Sequence, residues 1–192
     1  MMKQSGFTLI EMMVVLAIAV ILTTSAVPSF QTFIQNNRLS TASHQFITSL
    51  NLARSEAVKR GKRVTVCKSS NSTACTASNG WEQGWIIFVD EDGNGARDAG
   101  TDELLRVQVA LAGIDSIDGQ THVANLISYA DSGFPQLVTG GSLSPQLSTL
   151  VICDSRDFGS HAKALVVNTT GSVRTTSATD SGLNAGVTSC NV

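Results

Sequence analysis

Charge is scarce in this chain, and no excess of one sign offsets the scarcity. Of 192 residues, 15% are Asp, Glu, Lys or Arg, against roughly 25% in an average soluble protein. Together with 42% apolar residues, this excludes a disordered chain, which is rich in charge and poor in apolar side chains. The formal net charge of -2 and the pI of about 5.9 exclude a strongly basic nucleic-acid-binding chain. Catalytic signatures are missing too. There is no Gly-x-Ser-x-Gly, no phosphate-binding loop and no His-Glu-x-x-His, and His44, His122 and His161 are scattered. The stretches from Asp131 to Gly133 and from Asp180 to Gly182 read as turns. These absences point away from an enzyme. No Cys-x-x-Cys pair occurs, which points away from a zinc site. No internal repeat or long low-complexity run is present, and the length fits one domain with an appended segment.

What is present lies first at the N-terminus. From Phe7 to Val27 the chain reads FTLIEMMVVLAIAVILTTSAV, with a single charge at Glu11. As a helix this run spans roughly 32 Å, enough to cross the hydrocarbon core of a bilayer. Apolar residues surround every face and leave no amphipathic stripe, so a membrane span is preferred and a core helix of a globular protein is the alternative. The run is also longer than the apolar region of a cleaved secretory signal. Glu11 is costly in such a segment, which marks it as a functional residue. Its partner is expected from another chain, because no cation lies nearby in this one.

Pro28 removes a backbone donor and is expected to bend the helix. Beyond it, Leu39, Ala42, Phe46, Leu50, Ala53 and Ala57 recur at spacings of three and four, an amphipathic stripe. Arg38, His44, Arg54, Glu56 and Lys59 fall largely off it. The helix should end at Gly61, with Lys59 and Arg60 complementing its dipole. From Lys62 onward, short apolar or alternating runs alternate with Gly-, Ser-, Asn- and Asp-rich turns. The runs are 63–67, 85–89, 104–109, 126–129, 150–153 and 164–167, and they read as antiparallel strands. The stretch 169–189 reads as an ordered loop or hairpin. The fold class is therefore α+β: a long N-terminal transmembrane or filament helix packed on an antiparallel, sandwich-like β head.

Four cysteines, Cys67, Cys75, Cys153 and Cys190, suit two disulfides in an oxidising compartment. Of the three pairings, Cys67–Cys75 with Cys153–Cys190 is favoured. The first closes a short Ser/Asn-rich loop, and the second ties the tail to a strand. The stretch Asp90-Glu-Asp92-Gly-Asn94-Gly95 and on to Asp98 matches the first half of a calcium loop. Thr101 stands where the bidentate Glu belongs, with Asp102 and Glu103 late, and strand-like runs flank the stretch. A polar hairpin loop is the preferred reading. Ca2+ at Asp90, Asp92, Asn94 and Asp98 is the alternative.

The start of the chain resembles type IV prepilins and type II secretion pseudopilins. Lys3, Gly6, Phe7 and Glu11 match that family's basic leader, cleavage glycine, first mature residue and fifth-position glutamate. The resemblance extends through Asn51 to Gly61, Gly84 to Asp90 and Cys153 to Arg156, which are similar to the GspH/FimT branch. That branch holds minor pseudopilins of type II secretion and minor pilins of type IV pili. The resemblance implies a leader at 1–6, a membrane and filament helix at 7–27, its amphipathic continuation at 28–61 and a periplasmic head at 62–192. It implies cleavage between Gly6 and Phe7 by a prepilin peptidase and methylation of the Phe7 amine. Residence in the inner membrane follows, then assembly with other pilins or pseudopilins on an inner-membrane platform, with Glu11 paired to a neighbour's N-terminal amine. Lys3 agrees with the positive-inside rule. The branch implies no cofactor. Some FimT-type members bind DNA through a C-terminal Gly-Arg-x-Arg segment. Here Gly171 and Arg174 match it and Ser172 replaces the first Arg, so DNA is an alternative partner. A single-span binding protein outside any filament is a further alternative.

Overall fold

In a computed structural model of the protein, the described residues are 6–120, 122–139, 142–145, 148–180 and 189–190. The chain divides into two compact units, residues 1–37 and residues 38–192. One helix, α1 (Leu9–Arg60), contributes to both.

In the first unit the helix is organised by its own residues. The Glu11 N–H donates to the Thr8 hydroxyl at 3.3 Å. Thr8-x-x-Glu11 is thus a capping-box sequence that satisfies one orphan donor of the first turn. Hydroxyls farther along bond back to the helix. Thr23 donates to the Ala19 carbonyl at 2.9 Å and Thr24 to that of Ile21 at 3.0 Å. These bonds make the hydroxyls compatible with apolar surroundings. Pro28 lies inside the helix, and its carbonyl accepts from Thr32 Oγ1 at 3.1 Å.

The second unit begins with the amphipathic part of α1. Leu39, Ala42, Phe46, Leu50, Ala53 and Ala57 are all buried. The helix stops at Gly61, whose φ of 62° suits glycine. The Lys62 N–H closes the end on the Ala57 carbonyl at 3.2 Å, a Schellman-type termination. Arg60 anchors this end, with Nε on Glu56 Oε2 at 2.7 Å and Nη1 on Glu103 Oε2 at 2.6 Å.

The strands are β1 (Val64–Lys68), β2 (Gly84–Val89), β3 (Leu104–Val109), β4 (Ser116–Gly119), β5 (Leu126–Tyr129), β6 (Gln136–Thr139), β7 (Ser142–Pro145), β8 (Ser148–Cys153), β9 (Lys163–Val167) and β10 (Val173–Ser177). They form two four-stranded sheets, ordered β3-β2-β1-β5 and β10-β9-β8-β4, and a β6-β7 pair. The pairings between neighbours are antiparallel. Alternation along the strands sorts the side chains by face. Val66, Trp85, Ile87 and Ile127 from one sheet join Leu150, Ile152, Leu165 and Val167 from the other. Both sets pack with the helix stripe in a single core. Phe46 sits at its centre, edge-on to Trp81 and Trp85 with ring centroids at 5.2 and 4.9 Å. Trp81 lies on a short 3-10 turn, and its indole N–H donates to the Val123 carbonyl at 3.1 Å.

Residues of opposite parity form smaller clusters on the outer faces. Cys67, Ile86 and Phe88 make one, with Cys75 against them. Val151, Cys153, Ala162, Ala164 and Ala178 make the other, with Phe158 and Cys190 against them.

Candidate functional site

Two regions hold the residues singled out by sequence. The first is the N-terminal unit. Phe7 is 77% exposed, and every large apolar residue from Leu9 to Phe33 is at least half exposed. Among the described residues, α1 is the one helix long and apolar enough to cross a membrane. A Cβ built on Gly6 would meet no atom within 4 Å, so the fold itself does not require glycine there. Glu11 stands in the first helical turn, where a carboxylate suits the positive end of the dipole. Its side chain is exposed, and it forms no ion pair among the described residues.

The second region is the head. Cys67 is bonded to Cys75 across 8 residues, and Cys153 to Cys190 across 37. The Cys67–Cys75 segment meets the β2–β3 loop through Arg97, whose Nη1 donates to the Thr73 carbonyl at 2.5 Å. That loop is the one with calcium-like spacing, and it joins two antiparallel neighbours. Its side chains serve its own backbone. Asp90 is buried, and its Oδ2 accepts from Thr65 Oγ1 at 3.0 Å and from the Gly95 N–H at 3.1 Å. Burial raises the Asp90 carboxyl above the ordinary range, against the lowering effect of those bonds. The Asn94 amide bridges Asp92 Oδ2 at 2.7 Å and Asp98 Oδ2 at 3.0 Å. Asp102 accepts from the backbone N–H groups of Glu91 and Asp98. Among the described residues, no group of three or more His, Cys, Asp or Glu is arranged to hold a metal ion.

Gly171 and Arg174 separate into different roles. The β9–β10 turn runs from Asn168 to Ser172. The Gly171 N–H donates to the Asn168 carbonyl at 2.8 Å, and the Asn168 N–H to the Ser172 carbonyl at 2.9 Å. Gly171 has φ 82°, as a type I turn with a glycine bulge demands. A Cβ there would lie 2.7 Å from the Gly133 carbonyl oxygen. Arg54 on α1 seats the turn, with Nη2 on the Thr170 carbonyl at 2.9 Å. Hairpin geometry therefore accounts for Gly171. Ser172 takes part in the same turn, its Oγ accepting from Asn168 Nδ2 at 3.1 Å. Arg174 is exposed on β10, an edge strand, and forms no ion pair among the described residues. Arg156, close to it in sequence, is committed to Asp154 at 2.6 Å.

Thr8, Arg54 and Trp81 make structural contacts that the sequence reading did not foresee. The Thr8-x-x-Glu11 spacing carried a readable signal. Arg54 and Trp81 act on partners 116 and 42 residues away, and no local pattern marks such contacts.

Comparison with known proteins follows the same division. The model of a family described as Type II transport protein GspH matches residues 42–171, and that of the prokaryotic N-terminal methylation motif matches residues 1–27. No curated protein matches by sequence. The fold is similar to a crystal structure of the type IV minor pilin FimU of Pseudomonas aeruginosa. There the TM-score is 0.54 and the identity 18%, over 82% of this chain and 98% of that one. A second crystal form of FimU gives 0.50 and 17%, over 79% and 98%. The minor pseudopilin EpsH of the Vibrio cholerae Type 2 Secretion System gives 0.47 and 14%, over 74% and 99%. The long helix with two antiparallel sheets is the pilin fold, and the chain belongs to the GspH family of minor pilins and pseudopilins.

Proposed function

We propose that this chain is a filament subunit cut between Gly6 and Phe7, N-methylated on Phe7 and held in the inner membrane by residues 7–27. Residues 28–61 continue the helix, and residues 62–192 form a periplasmic head. From the membrane the subunit enters a type II secretion pseudopilus or a type IV pilus, in contact with other pilins or pseudopilins and their membrane platform. The observation that carries this reading is Glu11: an exposed carboxylate, without an ion-pair partner among the described residues, in an otherwise uncharged apolar run. Moving such a helix from lipid into a bundle of like helices leaves one charge to neutralise. A neighbour's terminal amine would do so with strict register, because a buried ion pair tolerates little displacement.

The test is incorporation. Glu11→Ala should be processed normally yet be depleted from sheared filament fractions, and normal incorporation contradicts the reading. Binding of DNA is the second reading, favoured by Arg174, which is exposed and forms no ion pair among the described residues. A gel shift at low salt that is lost with Arg174→Ala supports it. No shift with the wild-type protein removes it.

A further inference from the structure

The two disulfides of the head have different surroundings. The Cys153–Cys190 bridge lies on the wall of an open concavity of about 420 Å³ that Asp115, Asp154 and Asp157 also line. Cys153 is 1% exposed at the end of β8, whereas Cys190 is partly exposed. Both cysteines line the concavity and Cys190 is the more exposed of the two, so Cys190 Sγ is taken as the sulfur attacked and Cys153 as the leaving sulfur. The charge around the bridge is one-sided. Arg156 neutralises Asp154 at 2.6 Å, and His161 also acts on Asp154. Asp115 and Asp157 have no ion-pair partner among the described residues.

We propose that the Cys153–Cys190 disulfide is a thiol-exchange site that selects its reaction partner by charge, taking cationic thiols and holding off anionic ones. The nucleophile in exchange is a thiolate. It bonds to Cys190 Sγ, the Sγ–Sγ bond breaks, and Cys153 leaves as a thiolate that takes a proton. A second thiolate then attacks the mixed disulfide and releases Cys190. In sum, two thiols are oxidised to one external disulfide, and the bridge is reduced to two thiols by two electrons. Two uncompensated carboxylates repel the attacking sulfur, and a second charge on the same small molecule either offsets or doubles that repulsion. Opening the bridge leaves Cys190 joined to the described fold by a 3.4 Å hydrogen bond from Ser116 Oγ and by packing against the second outer cluster.

The experiment uses the full chain in a neutral detergent. Cysteamine, 2-mercaptoethanol and 3-mercaptopropionate are compared at equal thiolate concentration, and the cysteines freed are located by alkylation and mass spectrometry. With each rate divided by that of the same thiol on a small uncharged disulfide, which cancels intrinsic nucleophilicity, the cationic thiol should outrun the anionic one at Cys153–Cys190 by roughly tenfold at low salt, and the normalised ratio should collapse toward one at high salt. Asp115→Asn with Asp157→Asn should shrink the ratio at this bridge and leave the rates at Cys67–Cys75 unchanged, which also confirms that the variant is folded. Equal normalised rates for the three thiols at low salt overturn the proposal. So does a ratio that survives both substitutions while the variant stays folded.

Discussion

Residues 9–33 and residues 38–60 lie on one helix but meet opposite surroundings. In the first stretch Leu16 is 63% exposed and Phe30 65%; in the second Leu39, Phe46 and Leu50 are 0% exposed. Helix propensity does not separate the two, because both are helical throughout. The arrangement of apolar residues does. An apolar stripe pairs a helix with a core, whereas an apolar circumference requires a solvent that is itself apolar, either lipid or other helices. The difference shows that one secondary-structure element can belong to two physical systems, and that burial within a single chain reports on only one of them.

The largest break in that comparison comes from deleting residues 1–37. The whole chain should partition into a detergent phase, and the shortened chain should move to the aqueous phase while keeping a single cooperative unfolding transition. Retention in the detergent phase contradicts the division.

Point substitutions sharpen it. Phe46→Ala should destabilise the head by about 3–5 kcal/mol in denaturant titration, since it empties the contact with Trp81 and Trp85. Leu16→Ala removes a comparable side chain and should leave the head's transition where it was. Next is Gly171→Ala, expected to cost about 2 kcal/mol from its positive φ and the close Gly133 carbonyl. Gly159→Ala, where a Cβ meets nothing, is the matched control and should be close to neutral. The smallest effect belongs to Arg156→Ala, about 1 kcal/mol at neutral pH. Burial raises the Asp154 carboxyl, but the hydrogen bonds and charge of Arg156 outweigh this and leave it below the ordinary carboxylate range. A group whose folded pKa is lowered contributes stability above its unfolded value and loses it as pH falls through the folded one. The gap between wild type and Arg156→Ala, read by thermal melts, should therefore close on the acid side and stay open near neutrality.

Much of the fold was legible because the relevant patterns are local. The spacing of Leu39, Ala42, Phe46, Leu50, Ala53 and Ala57 marks the face that the structure buries. The apolar runs behind β1, β2, β3, β5, β8 and β9 stand out between turn residues. Strands β4, β6 and β7 escaped, and β10 lies in the stretch 169–189 read as an ordered loop or hairpin; in β4 and β10, Ser-Ile-Asp-Gly and Val-Arg-Thr-Thr-Ser each hold a single apolar residue. Both are edge strands, where pairing on one side suffices and little apolar surface is needed. The division into two sheets was also hidden, since it depends on pairings such as β1 with β5 and β4 with β8, far apart in sequence. At the candidate sites, residue type was readable and role was not. Gly171 looks alike whether it serves a ligand or a turn, and only its φ and the approach of Gly133 separate the two. Asp115 and Asp157 carry no motif at all; they matter through their place beside the Cys153–Cys190 bridge.

The central claim is that the apolar run beginning at Phe7 is the mature N-terminus of a filament helix. The most direct test is the intact mass of the chain purified from membranes of cells with and without an active prepilin peptidase. With the peptidase, the mass should correspond to a chain beginning at Phe7 and carrying one added methyl group; without it, residues 1–6 should remain. A chain that keeps residues 1–6 in both cells, or is cut elsewhere, contradicts the account.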